Sequence, residues 1–96
     1  MKAIMIIHSG MDAHRVPRLL ELHGASGYTS FDRAHGVGST GRMEGTRAWP
    51  GNASVWLTFE ADEQAARLVE ALREAVTRNQ AGEHMHVAVL PVETFF

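Results

Sequence analysis

The sequence contains no cysteine. That excludes a disulfide framework, a thiolate nucleophile and a zinc–thiolate centre at once, and it accords with a reducing compartment. Long apolar runs are missing as well. The first, Met1-Lys2-Ala3-Ile4-Met5-Ile6-Ile7, turns polar at His8-Ser9-Gly10, too early for the apolar stretch of a secretory signal or for a bilayer span. Neither sign of charge is in large excess: 9 Lys and Arg face 11 Asp and Glu, for a net charge of -2. Such a surface has no general pull towards nucleic acid or acidic membranes. We therefore expect a cytoplasmic protein with no nucleic-acid partner and no direct membrane insertion, in which the sequon Asn52-Ala53-Ser54 is a chance match. Catalytic signatures are absent too. There is no nucleophile elbow and no His-Glu-x-x-His, and Asp32 and Glu60 stand as isolated carboxylates near strand ends. The chain is expected not to be an enzyme.

What is present suffices for one globular domain spanning residues 1–96, with 45% hydrophobic and 21% charged residues. A monomer of this size buries only about 60% of its unfolded surface, so association between subunits would add needed stability. Lys2 to Ile7 reads as a strand ended by Ser9-Gly10. Asp12 can cap a helix carrying Val16, Leu19, Leu20 and His23, stopped by Gly24, with Pro17 awkward in its first turn. Gly27 to Ala34 alternates as a second strand. Gly36 to Gly51 shows no periodicity and is expected to be a long loop, mobile without ligand from Gly38 to Pro50. Ala53 to Phe59 is the third strand. Asp62 then caps the clearest helix, whose stripe runs through Ala65, Leu68, Val69, Leu72, Ala75 and Val76. His84 to Leu90, stopped by Pro91, is the last strand. The order βαββαβ predicts an α+β, ferredoxin-like fold: an antiparallel four-stranded sheet with two helices on one face.

A strand with one dry face should alternate between apolar and polar residues. The first and last strands do not. Ala3, Met5 and Ile7 are apolar, and so are Ile4 and Ile6; Val87 and Val89 are apolar, and so are Ala88 and Leu90. On the third strand Trp56 and Thr58 lie opposite Val55, Leu57 and Phe59. Two helices cover one face only, so the pattern predicts a second copy of the chain against the other.

Gly36-Val37-Gly38-Ser39-Thr40-Gly41 spells G-x-G-x-x-G, but no apolar helical stripe follows, so a dinucleotide fold is rejected. What remains is a glycine-rich segment whose backbone amides can approach a ligand closely. Arg42 and Arg47 supply charge for a phosphate or carboxylate. Trp49-Pro50-Gly51 reads as a rigid turn anchored on the sheet edge, or as a stacking surface. Among the 6 histidines, His84 and His86 alternate along a strand and so share a face. His35 or His8 could add a third ligand for a divalent metal.

Gly27-Tyr28-Thr29, then Gly36-Val37-Gly38, the loop, the strand with its capped helix and the closing Leu90-Pro91-Val92-Glu93 together resemble the PII nitrogen-regulatory signalling family. The resemblance covers nearly the whole chain. Gly45-Thr46-Arg47-Ala48-Trp49-Pro50-Gly51 looks like that of a short branch of PII-like proteins. It implies a homotrimer of ferredoxin-like subunits that binds adenine nucleotides, ATP or ADP, between subunits. It also implies that a loop, here residues 38–50, controls a partner enzyme, transporter or regulator. Thr29, Gly36 and Gly38 match nucleotide-site positions of that family. The chain departs from it in three ways. Its only tyrosine, Tyr28, lies outside the loop, so no tyrosine modification is expected there. Arg78-Asn79-Gln80-Ala81-Gly82-Glu83-His84 replaces the phosphate-gripping turn, and the arginine-bearing tail is missing. The alternative is a metal-responsive PII/CutA-like module linked to heavy-metal handling, using His35, His84 and His86.

Overall fold

The structure, a computed structural model, describes residues 1–38, 41–43 and 53–96. Its elements are β1 (Lys2–Ser9), α1 (Arg15–Leu22), β2 (Thr29–Ala34), β3 (Gly36–Gly38), β4 (Gly41–Met43), β5 (Ala53–Glu60), α2 (Asp62–Val76) and β6 (His84–Pro91). The most apolar strand, β1, takes a central place. It is flanked antiparallel by β5, with Ile6 opposite Trp56, and by β6, with Ile6 opposite Val87. The edge strand β2 pairs antiparallel with β5, and the sheet order is β2-β5-β1-β6. This is the expected ferredoxin-like α+β arrangement.

Both helices pack on the face that carries Ile4, Ile6, Trp56 and Met85. Val16 and Leu20 of α1 and Ala65, Leu68 and Leu72 of α2 complete that core. The 3-and-4 spacing of the α2 stripe thus does what it predicted. The register puts Met5, Ile7, Val55, Leu57, Ala88 and Leu90 on the opposite face. Ile7 and Leu90 are 40% and 44% exposed there. Phe31 shares that face, beside Val55, and Phe95 stacks on Phe59 with ring centroids 4.8 Å apart.

Three expectations need correction. The glycine-rich segment begins as a short ladder, β3 with β4, in which Gly36 pairs with Met43 and Gly38 with Gly41. A three-residue ladder needs only backbone groups, so glycines leave no side-chain alternation to read. The remainder of the loop, including Arg47 and Trp49-Pro50-Gly51, lies outside the described residues. Asp12 does not cap α1. Its carboxylate accepts from the His14 amide at 3.0 Å and from Arg18, and the helix starts at Arg15. Pro17 therefore falls in the first turn, where its missing N–H costs no helical bond. Asp62 is the first residue of α2 and not its cap; it receives the Met1 amino group at 2.7 Å.

Gly24 ends α1 as expected, at φ +75. The carbonyls of His23 and Gly24 accept from Gln64 Nε2 at 2.7 and 2.9 Å, which ties the end of α1 to the first turn of α2. A Cβ at Gly24 would lie 3.3 Å from that nitrogen. Gly24→Ala is thus expected to cost about 1–2 kcal/mol, the penalty of a left-handed non-glycine residue. Urea unfolding should show the midpoint falling with an unchanged m-value.

Candidate functional site

Two regions bring polar groups together at the ends of strands. The first is the base of the glycine-rich segment. Thr29 opens β2 opposite Leu57, so its side chain lies at the border of the open apolar face. Between Phe31 and Ala34 the register slips by one residue, and Arg33 adopts φ 57. Left-handed backbone at a non-glycine residue costs about 1–2 kcal/mol, and here it accompanies the bulge that turns the chain towards β3. At Gly36 an added Cβ would meet nothing within 4 Å. Its backbone is therefore open to approach from outside the subunit. The backbone of Arg42 lies opposite Val37. Of the sequence-predicted anion site, the structure thus brings together Gly36, Gly38 and the backbone of Arg42 in one short ladder; Thr29 stands at the other end of β2, four positions of β5 from Ala34, and Arg47 falls outside the described residues.

The second region joins β1, α1 and the turn before β6, and its chemistry was not legible in the sequence. His8 is 4% exposed. Its Nε2 lies 2.6 Å from Glu83 Oε2, and Arg15 Nη1 lies 2.7 Å from Glu83 Oε1. Arg15 also donates to Asn79 Oδ1 at 2.7 Å and to the Ala75 carbonyl at 2.5 Å. The Gln80 amide donates to Glu83 Oε1 at 3.0 Å. Burial alone would raise the Glu83 carboxyl, but the hydrogen bonds from Arg15, His8 and the Gln80 amide outweigh it and hold the group down at about 2. Gly10 leaves the room: a Cβ there would stand 3.1 Å from Glu83 Cγ. The three residues are far apart in sequence, so no spacing announces them. The position of Glu83 within the turn that departs from the PII pattern is the one signal that pointed there.

A second buried carboxylate is structural. Glu60, 2% exposed, accepts from the Ser26 amide at 3.1 Å and from the Ser26 and Thr58 hydroxyls. It fastens the chain between α1 and β2 to β5, and no second acid or base among the described residues faces it for proton transfer.

The histidines are divided by the fold. His86 lies opposite Ile7 and His84 opposite Ser9, both towards the open face. His8 points to the other face, among the helices, where Glu83 engages it. His35 follows β2, at the far edge of the sheet from β6, about 14 Å away at three strand spacings. Alternation along β1 sends His8 away from the pair, which corrects the expectation that it could join them. Among the described residues, no group of three His, Asp or Glu is placed to hold a metal ion. Nor is any described helix long and apolar enough to cross a membrane.

No curated protein matches the sequence. Solved structures do resemble the fold. CPII, a nitrogen regulatory PII-like protein from Thiomonas intermedia K12 solved with ADP, AMP and bicarbonate, superposes with a TM-score of 0.63 at 19% identity, covering 98% of this chain and 91% of that one. The apo form of the same protein gives 0.55 at 15% identity, with 96% and 92% covered. A protein assigned to PII-like signaling from Thermus thermophilus gives 0.64 at 25% identity, with 93% and 85% covered. The model of the family "Nitrogen regulatory protein P-II" matches residues 1–95. With its ferredoxin-like sheet and the loop base at the sheet edge, the chain belongs to the P-II nitrogen regulatory protein family, whose members are signalling regulators rather than enzymes.

Proposed function

We propose that the chain is a homotrimeric regulator that binds an adenine nucleotide at the border between subunits and signals through residues 38–50. The match to the P-II family over residues 1–95 carries this reading. Two features support it. Thr29 stands at the border of the open apolar face, where a neighbouring subunit would close a cleft, and the backbone at Gly36 is free of neighbours within 4 Å of an added Cβ. The structural relative from Thiomonas intermedia K12 holds ADP and AMP on the same fold. In this reading the glycine amides approach the phosphates, and Arg42 and Arg47 make charge-assisted bonds to them. Affinity for ATP is micromolar or weaker, because Arg78-Asn79-Gln80-Ala81-Gly82-Glu83-His84 replaces the family's phosphate-gripping turn. The controlled partner is a protein, reached in the cytoplasm.

Calorimetric titration of the full chain with ATP, ADP and AMP tests the proposal. Saturable binding is expected, weakened about tenfold or more by Arg47→Ala, since losing one bond of about 1.4 kcal/mol is a factor of ten. His86→Ala should leave it unchanged. If Arg47→Ala has no effect while His86→Ala removes all binding, the nucleotide reading is wrong.

A further inference from the structure

On the helix-covered side of the sheet, α1 and the edge strand β2 leave between them a cleft of about 610 Å³, a size that suits a small metabolite. Trp56 of β5 lines it, with Tyr28 edge-on at 5.4 Å between ring centroids. Trp56 is only 8% exposed. Its buried Nε1–H finds no hydrogen-bond acceptor among the described residues. Buried donors are nearly always paired, because leaving one unpaired is costly. This one marks a place for an acceptor from outside the chain. Ser30 pairs with Trp56 across the two strands, and Ser54 precedes it by two residues on the same face. Both hydroxyls line the cleft beside the indole.

The irregularity of β2 opens on the same place. In a regular strand Asp32 and Arg33 would point to opposite faces. Here the register slips between Phe31 and Ala34, and Arg33 takes φ 57. Both side chains then line the cleft. A bulge re-aims a side chain in this way, and backbone strain of this kind gathers at ligand sites. From the α1 wall come Glu21 and Arg18, the latter already paired with Asp12. The walls thus carry both signs. A purely anionic ligand would meet two carboxylates, and a purely cationic one two guanidiniums. A small molecule bearing both charges finds a partner for each.

We infer that this cleft binds the zwitterion of a free α-amino acid. Asp32 and Glu21 hold its ammonium group, while Arg33, the serine hydroxyls and Trp56 Nε1–H hold its carboxylate. Ser30 and Trp56 lie on the opposite face of the sheet from the open one that Thr29 borders. The inference therefore does not rest on the nucleotide reading.

The test follows the indole N–H resonances of the full chain by nitrogen-15 NMR, with each of the twenty common amino acids added singly. Trp49→Phe identifies the Trp56 signal by leaving it in place. At least one amino acid should move that signal saturably. Acetate and methylamine, which carry one charge each, should not move it at the same concentration. Asp32→Asn and Arg33→Gly should each weaken the binding about tenfold or more. Both positions are exposed, and glycine keeps the left-handed backbone at 33, so both variants keep the fold, which circular dichroism verifies. ADP should not displace the amino acid. The proposal is overturned if no amino acid moves the Trp56 signal, if acetate or methylamine does so equally, or if both variants bind like the native chain. Displacement by ADP would overturn it too, by placing the amino acid in the nucleotide site.

Discussion

Leu57→Asp should convert the proposed trimer to a monomer, seen by light scattering as a fall from about three chain masses to one. Leu57 lies on the central strand β5, between Met5 and Thr29, on the face that no helix covers. Neighbours on that face are Ile7, Val55, Ala88 and Leu90. Fully burying a side chain of this size is worth about 1.5–3 kcal/mol. Several together can offset the cost of association, estimated at about 4–15 kcal/mol. A carboxylate in the middle of that contact forfeits one such side chain and adds an unpaired, desolvated charge. Several kcal/mol is a loss on the order of 10³ in affinity. The isolated subunit leaves Leu57 half-exposed, so the introduced carboxylate would meet water there and the far-ultraviolet spectrum should stay unchanged. Ala66→Asp, on the exposed side of α2, serves as the control and should keep the three-chain mass. A native chain that scatters as a monomer, or a Leu57→Asp variant that stays trimeric, would refute the assignment of this face.

The same face explains why so much of the fold could be read in advance. Apolar residues at both phases of β1 mark a central strand with two apolar faces, of which the helices cover one. The α2 stripe from Ala65 to Val76 has one period and one possible face. Burial imposes these patterns, so they survive in sequence. Helix starts are less legible, because an aspartate accepts an amide in several local geometries. Asp12 serves the turn that leads into α1, accepting from the His14 amide, and Asp62 serves the Met1 amino group. Neither is a cap, yet each stands where a cap would be read.

The candidate sites divide in the same manner. Thr29, Gly36 and Gly38 are close in sequence and carried by a pattern, so the loop base could be proposed from the sequence. The His8–Glu83–Arg15 cluster joins three elements brought together by folding alone, and each residue by itself looks like ordinary surface. His8 illustrates the limit well. Counted along the sequence it is a third imidazole for His84 and His86. Strand alternation, applied to the observed register, sends it to the other face and towards Glu83.

Acid should unfold this protein largely through Glu83. Its carboxyl stands at about 2 in the folded chain against 4.5 ordinarily. The folded state thus holds fewer protons than the unfolded state between those values. The stabilisation is complete above about pH 4.5 and is lost progressively as the pH falls towards 2. With the side chain only 8% exposed, the linkage is worth about 2–3 kcal/mol. That is a large part of the roughly 5–15 kcal/mol a domain possesses. Asp12 and Asp62 are also lowered, the first chiefly by the His14 amide and the second by the Met1 amino group, but both are common to native protein and variant. Glu83→Gln keeps hydrogen bonds and loses the titration, so its stability should vary less with acid by about 2–3 kcal/mol. Glu83→Ala should cost about 3–5 kcal/mol at neutral pH, because it leaves Arg15 enclosed without its carboxylate. Urea unfolding at one protein concentration, repeated from neutral pH down to about pH 2, measures both effects. Parallel acid limbs for native protein and Glu83→Gln would show that the cluster does not carry the pH dependence.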